Sequence, residues 1–150
     1  MRIFNILRHS ELNRNTIFSI STNVAQFHKV MPNYFKSLKI IETKNSEQIV
    51  LEKISFFGQN MDVKTKHVVF PPNMHKVVIL SGPLKGTSFT EYYEISKTGT
   101  EIKIFVSLQL NGFLKYIPLL DRLLAKQMNK VMDKFITCSE IYANVNSIYH

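Results

Sequence analysis

At 150 residues with 45% apolar side chains, the chain is long enough to bury about 70% of the surface its unfolded form exposes, and one domain over residues 1–150 is expected. Its net charge of +8 is spread along the length and excludes no class of anionic partner, although a solvated surface kept soluble by charge is the favoured account of it. The lone cysteine excludes an intrachain disulfide, and no apolar run approaches a membrane span or a leader segment, so a soluble cytoplasmic protein is expected.

Residues Ile3 to Leu12 suit a first strand. Asn13 is placed as the N-cap of a short helix through Thr16, Ile17, Phe18 and Ile20, although their β-branching also suits a strand. Thr22 or Asn23 opens a second short helix through Ala25, Phe27 and Val30, which Pro32 ends by disfavouring helical geometry at Met31. From Tyr34 the texture changes to short runs between turn signals. One run reaches Thr43 and meets Lys44-Asn45-Ser46; the next goes from Gln48 to Phe57 and meets Gly58-Gln59-Asn60. Met61, Val63, Thr65, His67 and Val69 then alternate with Asp62, Lys64 and Lys66, the pattern of a half-buried strand broken by Pro71-Pro72-Asn73. Strands follow from His75 to Ser81, Thr87 to Ile95 and Glu101 to Leu110, parted by Gly82-Pro83 and by Ser96-Lys97-Thr98-Gly99.

The last third carries a helical stripe of Phe113, Ile117, Leu120, Leu124, Met128, Val131, Phe135, Cys138, Tyr142 and Val145, with Pro118 in the first turn. Arg122, Lys126, Lys130 and Lys134 run along the opposite face, with Asp133 and Glu140 beside them. A stripe of that length needs a concave partner. Strands joined by short turns pair antiparallel, so the fold class is α+β: a curved antiparallel seven-stranded sheet, with two short helices after strand 1, wrapped around a long C-terminal helix.

In the last strand Ile102, Ile104, Val106, Leu108 and Leu110 share one face, and the tight turn before it puts Phe89, Glu91, Tyr93 and Ile95 on the same side. An inward Glu91 is costly unless hydrogen-bonded, paired or protonated; His67 or Tyr93 is then its partner, whereas at an exposed rim a lysine would serve. His67 reads as a ligand anchor, a general base or a structural histidine. His9, His28 and His75 share no spacing that suggests a metal site, and Cys138 reads as a small hydrophobe on the stripe. His9 and Glu11 fall on one face of the first strand without making a site. No phosphate loop, nucleophile elbow or paired-carboxylate motif is present, and the Gly82 to Gly86 segment is a turn.

Three segments carry a resemblance. The stretch Asn13 to Ile20 followed by Phe27-His28-Lys29-Val30-Met31-Pro32, the hairpin Tyr92-Tyr93-Glu94-Ile95 to Gly99-Thr100-Glu101-Ile102, and the helix from Gly112 to Ala143 resemble the START/polyketide-cyclase/birch-pollen-allergen (SRPBCC) helix-grip superfamily. In length and strand order the chain is most similar to its coenzyme-Q-binding and polyketide cyclase/dehydrase-like branch. The resemblance implies a hydrophobic cavity between sheet and terminal helix, opening near the short helices. Members bind lipids, quinones, hormones or polyketides, and a minority catalyse reactions on them.

The expected function is therefore binding or transport of a hydrophobic small molecule (lipid, quinone or polyketide-like) against Met61, Thr65, His67, Phe89, Glu91, Tyr93, Val106, Leu120, Leu124, Met128 and Phe135. His67, Glu91 and Tyr93 would set selectivity. The alternative is a cyclase, dehydratase or hydrolase acting on an aromatic or polyketide-like substrate with Glu91 or His67 as acid/base. A third reading is an interaction module using Arg122, Lys126, Lys130 and Lys134, a ridge that suits a solvated face or transient contact with an anionic membrane. Few aromatics accompany the ridge, so nucleic acid is not expected. No cofactor and no metal are expected, and the chain is expected to be a monomer or homodimer.

Overall fold

The computed structural model describes residues 2–56 and 58–148. Strand β1 (Arg2–Ser10) leads into helix α1 (Arg14–Thr22), a 3-10 turn over Val24–Gln26 and the single turn α2 (Phe27–Val30). Six strands follow: β2 (Phe35–Lys44), β3 (Glu47–Phe56), β4 (Gln59–Phe70), β5 (Met74–Ile79), β6 (Ser88–Ser96) and β7 (Gly99–Leu108). A second 3-10 turn, Gly112–Tyr116, precedes helix α3 (Leu120–Ile148). Phe57, where the second strand of the meander was expected to close, lies outside the described residues.

Consecutive strands β2 to β7 form an antiparallel meander, and β1 adds beside β7, giving the order β1-β7-β6-β5-β4-β3-β2 in one seven-stranded sheet. This is the α+β helix-grip architecture read from the sequence. Register shifts in β2 between Phe35 and Ser37 and between Ile40 and Glu42 mark bulges, which bend an edge strand and help the sheet curl. Alternation on β7 is strict: Ile102, Ile104, Val106 and Leu108 are buried, while Lys103 and Phe105 face outward. Asn13 caps α1, its Oδ1 accepting from the Thr16 amide at 2.9 Å. At Gly99, φ is +144° and an added Cβ would sit 2.0 Å from the Ser10 carbonyl oxygen, so the β6–β7 turn approaches the end of β1 too closely for any side chain.

The terminal helix departs from its expected start. It begins at Leu120; Phe113 is 75% exposed on the preceding 3-10 turn, and Leu119 takes a left-handed φ of 63° just after Pro118, interrupting helical geometry. The inner face is also broader than the sequence stripe. Ala125, Ile136 and Ser139 are buried along with Leu124, Met128 and Phe135, as a 3.6-residue period drifts across a narrower repeat. Ile95, expected inward, is 71% exposed near the β6–β7 turn.

Three polar ties clamp α3 along β1. Arg2 Nη1 donates to Asp121 at 3.1 Å, Arg8 bonds Asp133 and donates to Asn129 at 2.9 Å, and the Glu11 amide donates to Glu140 at 3.1 Å. The acidic residues beside the basic ridge thus bind the first strand rather than balance the lysines.

Candidate functional site

Between the inner faces of β2 to β6 and helix α3 lies a cavity of about 190 Å³. Its wall is mostly apolar: Phe27, Phe35, Ile54, Met61, Val77, Ile79, Leu84, Phe89, Met128, Met132 and Phe135 all contribute. Phe135 packs edge to face against Phe27, at a centroid distance of 5.5 Å, and against Phe35, while Phe27 and Phe35 tilt against each other at 43°, and the three rings close the side toward the short helices. The exposed members of the wall are Asp62, Gly82 and Pro83. The mouth therefore lies beside the start of β4 and the β5–β6 loop, away from α1 and α2, where the resemblance had placed it.

The floor is polar and fully connected. Glu52 on β3 accepts from Thr65 Oγ1 at 2.9 Å and lies 2.9 Å from His67 Nε2. His67 Nδ1 is 3.0 Å from His75 Nε2, and His75 Nδ1 is 2.7 Å from Glu91 Oε1. Tyr93 donates its hydroxyl to that same Glu91 oxygen at 2.9 Å. All of these side chains are buried. The two imidazole planes differ by 19° with centroids 5.2 Å apart. That separation exceeds the N–N distance by about two ring radii, so the rings meet edge to edge and the hydrogen bond lies near both planes.

Strand register explains how four adjacent strands build this chain. Val69 stands opposite His75 and His67 opposite Val77, so the two histidines are diagonal neighbours across β4 and β5. His75 stands directly opposite Glu91, and Glu52 is diagonal to Thr65. The floor also sets the two nearby phenols. Burial, then the Glu91 carboxylate, pushes the Tyr93 hydroxyl well above its usual range, with a Ser21 hydrogen bond opposing. Burial and the Glu52 carboxylate raise Tyr34 likewise. Both remain neutral, and Tyr93 keeps its proton to donate to Glu91.

Of the residues singled out in the sequence, Met61, Thr65, His67, Phe89, Glu91, Met128 and Phe135 border the cavity. Tyr93 sits behind Glu91, whereas Val106, Leu120 and Leu124 belong to the packed core around Ile104 and Ile136. Glu91 is buried and bonded, not a rim residue. Its partners are Tyr93 and His75, with His67 one bond further on. Glu52 and His75 were missed. Alternation would have found them, as Val50-Glu52-Ile54 and His75-Val77-Ile79 place both on inward positions. His9 pairs with Glu101 at 2.9 Å on the outer surface, apart from the cavity. Arg122, Lys126, Lys130 and Lys134 are all exposed. Among the described residues, no group of three or more His, Cys, Asp or Glu side chains converges to hold a metal ion, since the floor is a line and not a cluster. No helix among them is long and apolar enough to cross a membrane.

No family profile and no curated protein sequence matches the chain. Solved structures match its fold throughout. The protein TTHA0849 from Thermus thermophilus aligns at a TM-score of 0.79 with 12% identity, covering 97% of this chain and 99% of that one. The Zhui aromatase/cyclase from a Streptomyces species aligns at 0.73 with 9% identity, covering 93% of each chain. A START superfamily protein from Mycobacterium smegmatis aligns at 0.71 with 11% identity, covering 97% of this chain and 98% of that one. These likenesses are of fold: the chain has the helix-grip fold that those structures share.

Proposed function

We propose that this protein binds a hydrophobic small molecule whose ring-sized head enters the cavity and whose polar end meets the Glu52–His67–His75–Glu91 floor. The observation that carries this reading is an apolar pocket ending in buried, mutually bonded polar groups, the arrangement that fixes orientation in small-molecule sites. A volume of about 190 Å³ is of the order of the ~150 Å³ engineered cavity that holds one benzene, so a ring fits and a long acyl chain does not. Longer ligands would extend through the mouth. Burying about 200 Å² of apolar ligand surface contributes roughly 5 kcal/mol gross, little more than the least cost of association. The polar floor or an outer tail must supply the rest. Native mass spectrometry of the purified protein, with solvent extraction, tests this; failure of every ring-sized apolar probe to bind would sink it.

A second reading, an enzyme acting on an aromatic or polyketide-like substrate, is favoured by the same floor, because two carboxylates joined through two imidazoles can accept a proton at one end and release it at the other. Aromatase/cyclases share the fold. This reading requires a bound compound to be converted on incubation, seen as a new chromatographic or NMR species with or without a change of mass, at a rate that falls in Glu91→Gln.

The carrier reading gains support from the surface beside the mouth. Asn111 bonds the Pro83 and Lys85 carbonyls and so ties the mouth loop to the segment that follows. There Phe113, Tyr116, Leu119 and Leu123 are exposed among Lys115, Arg122 and Lys126. Apolar rings inside a basic margin suit an anionic bilayer, from which a ligand could pass to the mouth. Cosedimentation with phosphatidylserine vesicles, lost on Phe113→Ser/Leu119→Ser and absent with phosphatidylcholine alone, is the expected result.

A further inference from the structure

We infer that the cavity selects a ring-bearing amine in its cationic form over a carboxylate, an inference that rests on the cavity-binding reading and names its ligand class. The argument is a count of protons. Four titratable side chains stand in line, Glu52, His67, His75 and Glu91, separated by three gaps of 2.9, 3.0 and 2.7 Å. Each gap is a hydrogen bond and needs one proton. With none in the central gap, two nitrogen lone pairs would face each other at 3.0 Å in a buried site.

With Oε2 of both carboxyl groups unprotonated, three protons shared by two carboxyl and two imidazole groups leave a net charge of −1, wherever along the line each proton rests. Sliding all three protons from one side of their gaps to the other changes which end is acidic and leaves the total unchanged. With one proton in each gap, the line carries one negative charge and keeps it while a proton passes across the cavity floor.

Nothing on the described wall offsets that charge. Among the described residues no Lys or Arg lines the cavity, and the remaining titratable wall residues are Tyr34, which stays neutral, and Asp62 at the mouth, 4.0 Å from Lys53. From the other packed elements, α1 and α2 contribute Ser21 and Phe27, and α3 contributes Met128, Val131, Met132 and Phe135. A chain of net charge +8 thus encloses a pocket of the opposite sign. The bonds that build the line fall on Oε1 of both carboxyl groups, so Oε2 of each takes no part in it and can accept from an occupant. A cation placed there is attracted in a low-dielectric site, and a carboxylate is repelled.

Calorimetry of the wild-type protein with benzylamine, benzyl alcohol and benzoate at neutral pH separates ring fit from charge. The expected order is benzylamine at least tenfold tighter than benzyl alcohol, with benzoate undetectable. Benzyl alcohol binding as well as benzylamine, or benzoate binding at all, overturns the charge inference and leaves the cavity reading standing. Absence of binding by all three overturns both. Nitrogen-15 histidine spectra of the unmodified protein give a second measure: one proton shared between His67 Nδ1 and His75 Nε2 is expected, and two unprotonated facing nitrogens would refute the count. Glu52→Gln and Glu91→Gln should each reduce the preference for amine over alcohol about tenfold.

Discussion

Replacing His75 by Phe keeps a ring of similar shape in the sheet and removes the middle of the buried line. Two hydrogen bonds disappear, to His67 Nδ1 at 3.0 Å and to Glu91 Oε1 at 2.7 Å. Glu91 keeps only the Tyr93 hydroxyl, and the buried His67 Nδ1 loses its partner. Breaking a buried charged pair by removing one member costs about 3–5 kcal/mol, because the survivor stays desolvated. With a urea m-value of about 2 kcal/mol/M, the unfolding midpoint should fall by roughly 1.5–2.5 M. Circular dichroism against urea measures it. Adding Glu91→Leu in the His75→Phe background should recover the part of the loss owed to the orphaned carboxylate, while His67 Nδ1 stays unpartnered. A midpoint shift below about 0.5 M, or a double variant as unstable as the sum of the singles, would refute the view that these residues act as one bonded unit.

Four further outcomes are expected. Met128→Trp places a large ring against the cavity and should abolish ring-ligand binding while the fold persists; the natural chain has no Trp, so the new fluorescence reports occupancy directly. Gly99→Ala should destabilise by more than about 2 kcal/mol in thermal unfolding, because its Cβ meets the Ser10 backbone, whereas Gly82→Ala, with open space around it, should cost only about 1 kcal/mol from its positive φ. Asn13→Ala removes the cap on Thr16 and should cost about 1 kcal/mol by urea denaturation. Tyr93 is held above its usual value of about 10, so its contribution is complete below pH ~10 and is lost as pH rises further, by up to about 1.4 kcal/mol per pH unit. Stability measured from pH 9 to 11.5 should bend downward above 10, and less steeply in Tyr93→Phe.

The fold was legible because each level of the sequence pointed the same way. Period-two alternation on β4 and β7, turn residues between strands, the Asn13 cap and the long apolar stripe require one sheet and one helix. The site was legible only in part, for a definite reason. Alternation tells which face a residue occupies and says nothing of what stands opposite. His67 and Glu91 were found as inward residues, but their link through His75 depends on β4 and β5 pairing with Val69 against His75, a register set by the intervening turn. Glu52 was passed over because it sits in a run of mixed polarity, where Leu51 is exposed and Val50 buried. The helix start was misplaced for a similar reason: a 3-10 turn and a left-handed Leu119 preserve apolar spacing through Phe113 and Ile117 without preserving the helix. Leu124 shares the stripe with Met128 yet lies outside the cavity wall, so a Trp at that position would overpack the core instead of blocking a ligand.

The pairing of β1 with β7 sets the order in which the molecule can be assembled. Arg2 stands opposite Leu108, so the first strand waits for the last before it has a neighbour, and α3, which clamps it, is made later still. At about 5–20 residues per second, roughly 5–20 s of synthesis separate these partners. During that interval the meander can grow strand by strand from local turns, while β1 holds Ile6 uncovered and its backbone unpaired. Closing so distant a contact carries a loop-entropy cost that the local hairpins escape, so β1 docks after the meander and its docking slows folding.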